Sequence, residues 1–421
     1  MESPRAYPRA TRVREVRALG WVEGLGGYTV DMRAQREAIS GAVTPSVPHP
    51  VHVTPRGMEN GWLRVDVELD GVVTLHDTTS SVPVRGVVSL EMARDVGDLY
   101  TPAIRDAASA PACHSVRATL GGPLRGEMTL DYHVLDADGR DAGTVHVALQ
   151  LDADLPVLRV SVAGDLSARD ARLRILFATG MPGARTLADA AFQPVERAPI
   201  EVDPADAAME AVVRTAPLHR WVSRYAPDRG ATIFSDGLAE YESLDDGDIA
   251  VTLVRSVGVL SRHDVPERPG HAGWPVDTPA AQCTGPFSAA FGVALHAADS
   301  DDTRDLVERL ADDVLLPMTG ETLRSNVDAP HAAGGVELVG DGLAFSAMLP
   351  AHDQGWVVLR CVNRRDAVVQ GRWLLGRQIS EAHRARLDET RVVALPVSGS
   401  ALAFEARPRE IVTIVARYAD G

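Results

Sequence analysis

From about residue 60 onward the chain is written in short alternating segments cut by Gly, Asp and Pro, and that two-residue period is its strongest constraint. Successive side chains of a strand point to opposite faces, so such segments predict antiparallel sheets with one face in a core. The clearest are "WLRVDVEL" (62–69), "GVVTLHD" (71–77), "GEMTLDYHVLD" (126–136), "GTVHVALQL" (143–151), "PVLRVSVAG" (156–164) and "ARLRILFA" (171–178). Further strands are predicted at 231–235, 237–242, 247–257 and 287–297, and later at 335–339, 342–348, 355–363, 367–375, 391–396, 399–405 and 409–417. In "ELDGVV" (68–73) an Asp-Gly pair between two strands predicts a hairpin. Trp62, Val65 and Val67 do not share one parity, which predicts a bulge or burial on both faces.

One segment breaks the period. "SDDTRDLVERLADDVL" (300–315) places Leu306, Val307, Leu310 and Val314 at helical spacing, with acidic residues at its start where the helix dipole favours them. No internal repeat and no strand–helix alternation occurs, which excludes a Rossmann domain and a parallel-stranded barrel. Twisted open sheets seldom grow much beyond about ten strands, so this many must stack as two sheets. The reading is all-β: a lead-in segment 1–57, a large supersandwich of two antiparallel sheets 58–299, a helix and linker 300–334, and a smaller β-sandwich 335–421. At roughly 100 to 200 residues per domain, a chain of 421 residues is long enough for such an arrangement.

Charge and composition exclude several function classes. The net charge of −16 without any basic block repels a phosphate backbone, so no nucleic acid is expected as a partner. All 42 basic residues are arginines, which removes Schiff-base and phosphate-loop lysine chemistry. Cys113, Cys283 and Cys361 are too far apart for a zinc cluster and odd in number, so reduced, partly buried thiols are expected. No run approaches the roughly 20 apolar residues of a membrane helix, and the first 20 residues carry charges where a signal peptide needs an apolar stretch. The expectation is a cytoplasmic protein without membrane contact.

No nucleophile elbow, glycine-rich phosphate loop or HExxH motif is present. His263 and Asp264 lack a second ligand at metal spacing and read as a solvated loop. In "HAGWP" (271–275) Trp274 follows a glycine turn, where its ring can stack on a sugar or wedge under the loop. His133 and His146 fall on adjacent predicted strands and can pair across them. The strand "VTLVRSV" (251–257) is apolar enough to be buried and yet carries Arg255.

Three blocks taken together resemble a known family: "MENGWLRVDVELDGVVTLHDTTSSVPVRGVVSLEMARDVGDLYT" (58–101), "GLAEYESLDDGDIAVTLVRSVGVLSR" (237–262) and "GHAGWPVDTPAAQCTG" (270–285). They are similar to the non-catalytic β-half of glycoside hydrolase family 38, the α-mannosidase-type enzymes, and "VREVRALGW" (13–21) resembles the segment leading into that half. The resemblance covers residues 13 to 421. It implies a retaining hydrolase whose zinc, nucleophile and acid/base lie in an N-terminal barrel of strands and helices, none of which is recognisable here. In "QREAISG" (35–41), Gln35, Arg36 and Glu37 stand where the family has a zinc-binding His-His-Asp, so no metal or other cofactor is expected in this chain.

The resemblance also implies a loop that reaches from the β-half into the sugar pocket, with a Tyr after a Gly-containing turn and an Arg at the end of a core strand. Tyr100 and Arg255 match those positions, and Trp274 joins them as a substrate-binding candidate. Arg255 is then expected to meet sugar hydroxyls or an acidic partner, the core alternatives being Glu240 and Glu242. The chain is expected to be a carbohydrate-facing scaffold for an α-mannoside hydrolase, inactive alone, and either working beside a separately encoded barrel chain or left over from a broken gene. Two other readings stay open: a stand-alone carbohydrate-binding protein, and a galactose-mutarotase-like sugar isomerase with His133 or His146 as its acid.

Overall fold

The computed structural model describes residues 19, 46–78, 82–198, 200–270, 272–317 and 335–419. The lead-in motif 13–21 (apart from Leu19), "QREAISG" and most of the linker 316–334 lie outside the described residues. Every strand pair among the described residues is antiparallel, as the two-residue period requires.

The large sandwich has two principal sheets. The first holds nine strands in the order Val195–Glu196, Arg185–Ala188, Trp221–Tyr225, Arg229–Asp236, Gly285–Ala297, Leu158–Leu166, Asp141–Asp152, Arg125–Leu135 and Ala112–Gly121. The second holds six, in the order Thr215–Pro217, Glu240–Ser243, Ile249–Ser256, Ala171–Phe177, Ser89–Asp95 and Ile104–Ser109. Val145, Val147, Leu149 and Leu151 of one sheet and Leu173, Ile175 and Phe177 of the other are completely buried in a shared core. Phe177 and Phe291 meet across it with ring centroids 5.2 Å apart. Each such side chain contributes about 1.5–3 kcal/mol through removal from water.

A further five-stranded sheet, running from His52–Thr54 to Val84–Arg85, adds Val51, Met58, Leu63, Val65, Val67, Val73 and Leu75 to the same core. Strand structure therefore begins before residue 58, where the sequence places the start of this domain. The irregular parity expected around Trp62 is not found: Leu63, Val65 and Val67 alternate cleanly, while Trp62 precedes the strand and donates from its indole to Asp154 at 3.2 Å. The Asp-Gly hairpin forms with Gly71 at φ +86°, and a Cβ there would lie 2.6 Å from that of Cys113. All three cysteines are free; Cys361 is buried, Cys113 half-buried and Cys283 exposed.

The helix Asp301–Leu315 is capped by Ser300, whose side chain accepts from the Thr303 N–H at 3.1 Å. Expected as part of a linker, it instead forms a layer of the large domain. Val307, Leu310 and Ala311 pack against Trp221, Phe234 and Ala294 on the outward face of the nine-stranded sheet. The small sandwich follows, with a four-stranded and a five-stranded sheet closed over Trp373, Leu359, Phe404 and Ile414. Glu308 of the helix ties the two domains, accepting from Arg220 at 2.7 Å and pairing with Arg364 at 2.5 Å. Among the described residues, no helix is long and apolar enough to cross a membrane.

Candidate functional site

Arg255 lies near the end of Ile249–Ser256, and Asp95 ends Ser89–Asp95; the strand Ala171–Phe177 runs between them. The Arg255 Nε donates to Asp95 Oδ2 at 2.7 Å, and its Nη2 donates to the Asp98 carbonyl at 2.8 Å. Asp95, fully buried, also accepts at Oδ1 from the N–H groups of Gly97 at 3.0 Å and Ala103 at 2.9 Å. The loop after the strand is thereby folded back upon the carboxylate that ends it. Only glycine fits at position 97, because a Cβ would stand 2.2 Å from the Thr101 carbonyl oxygen.

Asp98 is the second hub. Its Oδ1 accepts from the N–H groups of Tyr100 at 2.9 Å and Thr101 at 2.8 Å, an Asx turn. Its Oδ2 accepts from the Arg262 N–H at 2.6 Å and from Arg268 Nη2 at 2.5 Å. Arg268 in turn donates to Thr101 Oγ1 and to the Arg262 carbonyl, so one buried ion pair joins loop 96–101 to loop 257–278. Burial pushes both carboxyls up, but the guanidinium and backbone N–H donors outweigh it and hold Asp95 and Asp98 below the usual carboxylate range.

What this lattice presents to water is aromatic and apolar. Tyr100 is 54% exposed and Trp274 is 81% exposed, with Leu99 and Val276 exposed beside them. The N–H groups of Ala272 and Gly273 both donate to Ser261 Oγ at 3.1 Å, which fixes the turn that carries Trp274. The Tyr100 ring lies against Gly273, so that a Cβ there would be 3.5 Å from its hydroxyl, and Arg268 lies 5.9 Å from the ring centroid.

The structure thus brings Tyr100, Trp274 and Arg255 to one end of the six-stranded sheet. Arg255 finds its acidic partner in Asp95, while Glu242 is taken by Arg174 at 2.6 Å. Asp95, Asp98, Ser261 and Arg268 escaped the sequence reading; the Asp-x-Gly and Asp-x-Tyr-Thr spacings of "DVGDLYT", each an Asx turn, are the signal that marks them. His271 of the Trp274 loop lies outside the described residues.

His133 and His146 do not pair with each other. His133 contacts Asp141 at 3.0 Å and His146 contacts Asp131 at 2.6 Å, each half-exposed on an interior strand of the nine-stranded sheet. Among the described residues, no group of three or more His, Cys, Asp or Glu side chains is placed to hold a metal ion.

Comparison with known proteins bears on the family and the fold. The family model described as the glycosyl hydrolases family 38 C-terminal domain matches residues 58–259. A putative mannosylglycerate hydrolase of Halalkalibacterium halodurans is 31% identical over 276 residues, covering 64% of this chain and 28% of that protein. An α-mannosidase of Enterococcus faecalis shares the fold at a TM-score of 0.70 and 20% identity, over 88% of this chain and 43% of that one. A second family 38 protein of the same organism does so at 0.71 and 20% identity, over 90% of this chain and 45% of that one. The chain therefore spans less than half the length of each of these relatives.

Proposed function

The chain belongs to glycosyl hydrolase family 38 by its C-terminal half, and from that premise we propose that it is the β-scaffold of an α-mannosidase-like retaining hydrolase. Its 96–101 and 257–278 loops face an α-mannoside, and Tyr100, Trp274 and Arg255 frame that sugar. The reaction itself, with its zinc and its pair of carboxylic acids, belongs to a catalytic barrel outside the described residues, on this polypeptide or on a partner chain. The carrying observation is that buried ion pairs hold down the loops that carry Tyr100 and Trp274, and both rings stand in water. An aromatic ring fixed in that way offers a flat apolar face to the C–H side of a sugar at little entropic cost.

The bacterial relative is named for mannosylglycerate, so that glycoside and nitrophenyl α-mannoside are the substrates to try. Residues 1–421 alone, with or without zinc, are expected to turn over neither. With the barrel-bearing polypeptide added, turnover is expected to appear, and Tyr100→Ala and Trp274→Ala each to lower kcat/KM about tenfold, a loss of about 1.4 kcal/mol. Chelator-sensitive turnover by the chain alone, or unchanged kcat/KM in the Tyr100→Ala/Trp274→Ala double variant, overturns the reading.

A further inference from the structure

The outward face of the six-stranded sheet holds three neighbouring guanidinium groups, and one of them has no partner. Arg174 donates through Nε and Nη2 to Glu91 at 2.8 and 2.6 Å and through Nη1 to Glu242 at 2.6 Å. Arg255 is held by Asp95 and the Asp98 carbonyl. Arg172 stands directly across the strand pair from Arg255, with Ala93 on its other side. It is only 9% exposed, yet it makes no hydrogen bond or ion pair among the described residues, and its Nε is sealed from solvent without an acceptor. Nη1 and Nη2 are not sealed in this way.

An arginine stays charged at any physiological pH, so Arg172 is a buried cation whose five donors await acceptors. Burial, and then Arg174, lower its affinity for its proton from the ordinary arginine value, the signature of a site short of acceptors. Like charges directly opposite on a sheet are unfavourable, which makes the Arg172–Arg255 pairing costly unless a third group joins it. A planar fork with free Nη atoms is matched in shape by a carboxylate, which takes two parallel N–H bonds. A phosphate dianion fits less well, because Glu91, Glu242 and Asp95 already surround these cations and repel a second negative charge.

We propose that Arg172, beside Arg255, is the receiving group for a small-molecule carboxylate, so that the ligand of this surface is an acid and not only a neutral sugar. This deepens the mannoside reading and rests on it only in placing the acid on the same ligand as the sugar. The test is made on the full chain, following thermal unfolding and the arginine Nε–H signals by NMR, with glycerate as the probe. Methyl α-mannoside, glycerol and inorganic phosphate form the other arms.

Glycerate at up to about 50 mM is expected to raise the unfolding midpoint saturably and to shift the Arg172 signal, whereas glycerol does neither. Arg172→Met is expected to abolish the glycerate effect while unfolding, without ligand, at the same or a higher temperature, since it removes an unpaired charge. Arg172→Lys, which keeps the charge but loses the fork, is expected to weaken the response about tenfold. No saturable effect of glycerate, an undiminished effect in Arg172→Met, a stronger response to phosphate, or an Arg172→Met variant that fails to fold each overturns the proposal. Methyl α-mannoside that neither binds nor competes counts against the mannoside reading and leaves the glycerate result standing, so the two failures are told apart.

Discussion

The two principal sheets of the large sandwich share one core but clothe their outer faces in opposite ways. The nine-stranded sheet takes a helix, and the contact is made by Trp221, Phe234, Ala294, Val307 and Leu310. On the six-stranded sheet, the outer face of Ala171–Phe177 and its neighbours carries Glu91, Arg172, Arg174, Glu242 and Arg255, and at its end loops are held down by the Asp95–Arg255 and Asp98–Arg268 pairs. An apolar contact fixes a layer in place but asks nothing of angle. A lattice of charge-assisted hydrogen bonds fixes where each loop atom stands, which is what a surface needs when it must offer two aromatic rings in one pose. The surface proposed to face the sugar lies on the sheet that is clothed in charge.

The sharpest way to break this comparison is to remove one hub from each cover. Asp98→Ala leaves Arg268 buried without its carboxylate and frees four donors, and the expected loss is about 4 kcal/mol of unfolding free energy in denaturant titration. Leu310→Ala removes a buried side chain from the helix cover and is expected to cost about 3 kcal/mol. If Leu310→Ala proves the costlier, the loop lattice is decoration and the contrast collapses.

Acid sharpens the same contrast. Asp95 and Asp98 titrate below the usual carboxylate range in the folded chain, so their stabilisation is complete above the unfolded value of about 3.9 and is lost as pH falls through the folded values. Unfolding free energy measured downward from about pH 5 is expected to fall less steeply in Asp98→Asn than in the unaltered chain. Leu310→Ala should keep the original slope while starting lower. Parallel slopes in all three would show that these carboxylates carry none of the acid sensitivity.

The sequence exposed one cover and hid the other for a physical reason. Ser300, the acidic first turn and the spacing of Leu306, Val307, Leu310 and Val314 announce a helix with an apolar stripe, and a stripe must be buried somewhere. "ARLRILF" announces a strand just as clearly, but nothing local reveals that 91% of Arg172 is covered. Ile104–Ser109 and Ile379–Ala385 are too polar to give a periodic signal, and Ser89–Asp95, Ala112–Gly121 and Trp221–Tyr225 also lie outside the predicted strands. Family resemblance singles out Tyr100 and Arg255, and its turn singles out Trp274; that they share one surface depends on Asp98 and Arg268, which lie far apart in the chain.

The smallest expected effect isolates what the lattice is for. Trp274 is 81% exposed and makes no hydrogen bond through its indole among the described residues, so Trp274→Ala is expected to change unfolding free energy by less than about 0.5 kcal/mol. The turn beneath it is held by Ser261 through backbone N–H groups, which the substitution leaves in place. Ser261→Ala takes away that acceptor without touching the ring, and is expected to cost about 1 kcal/mol and to release the Trp274 loop, seen as faster amide exchange at Ala272 and Gly273. A large, exposed ring whose removal costs nothing, on a turn whose loss costs measurably, is a side chain kept for something outside the fold. If instead Trp274→Ala destabilises the chain as much as Ser261→Ala, the indole is packing against its own loop and the exposed surface loses its claim to a ligand.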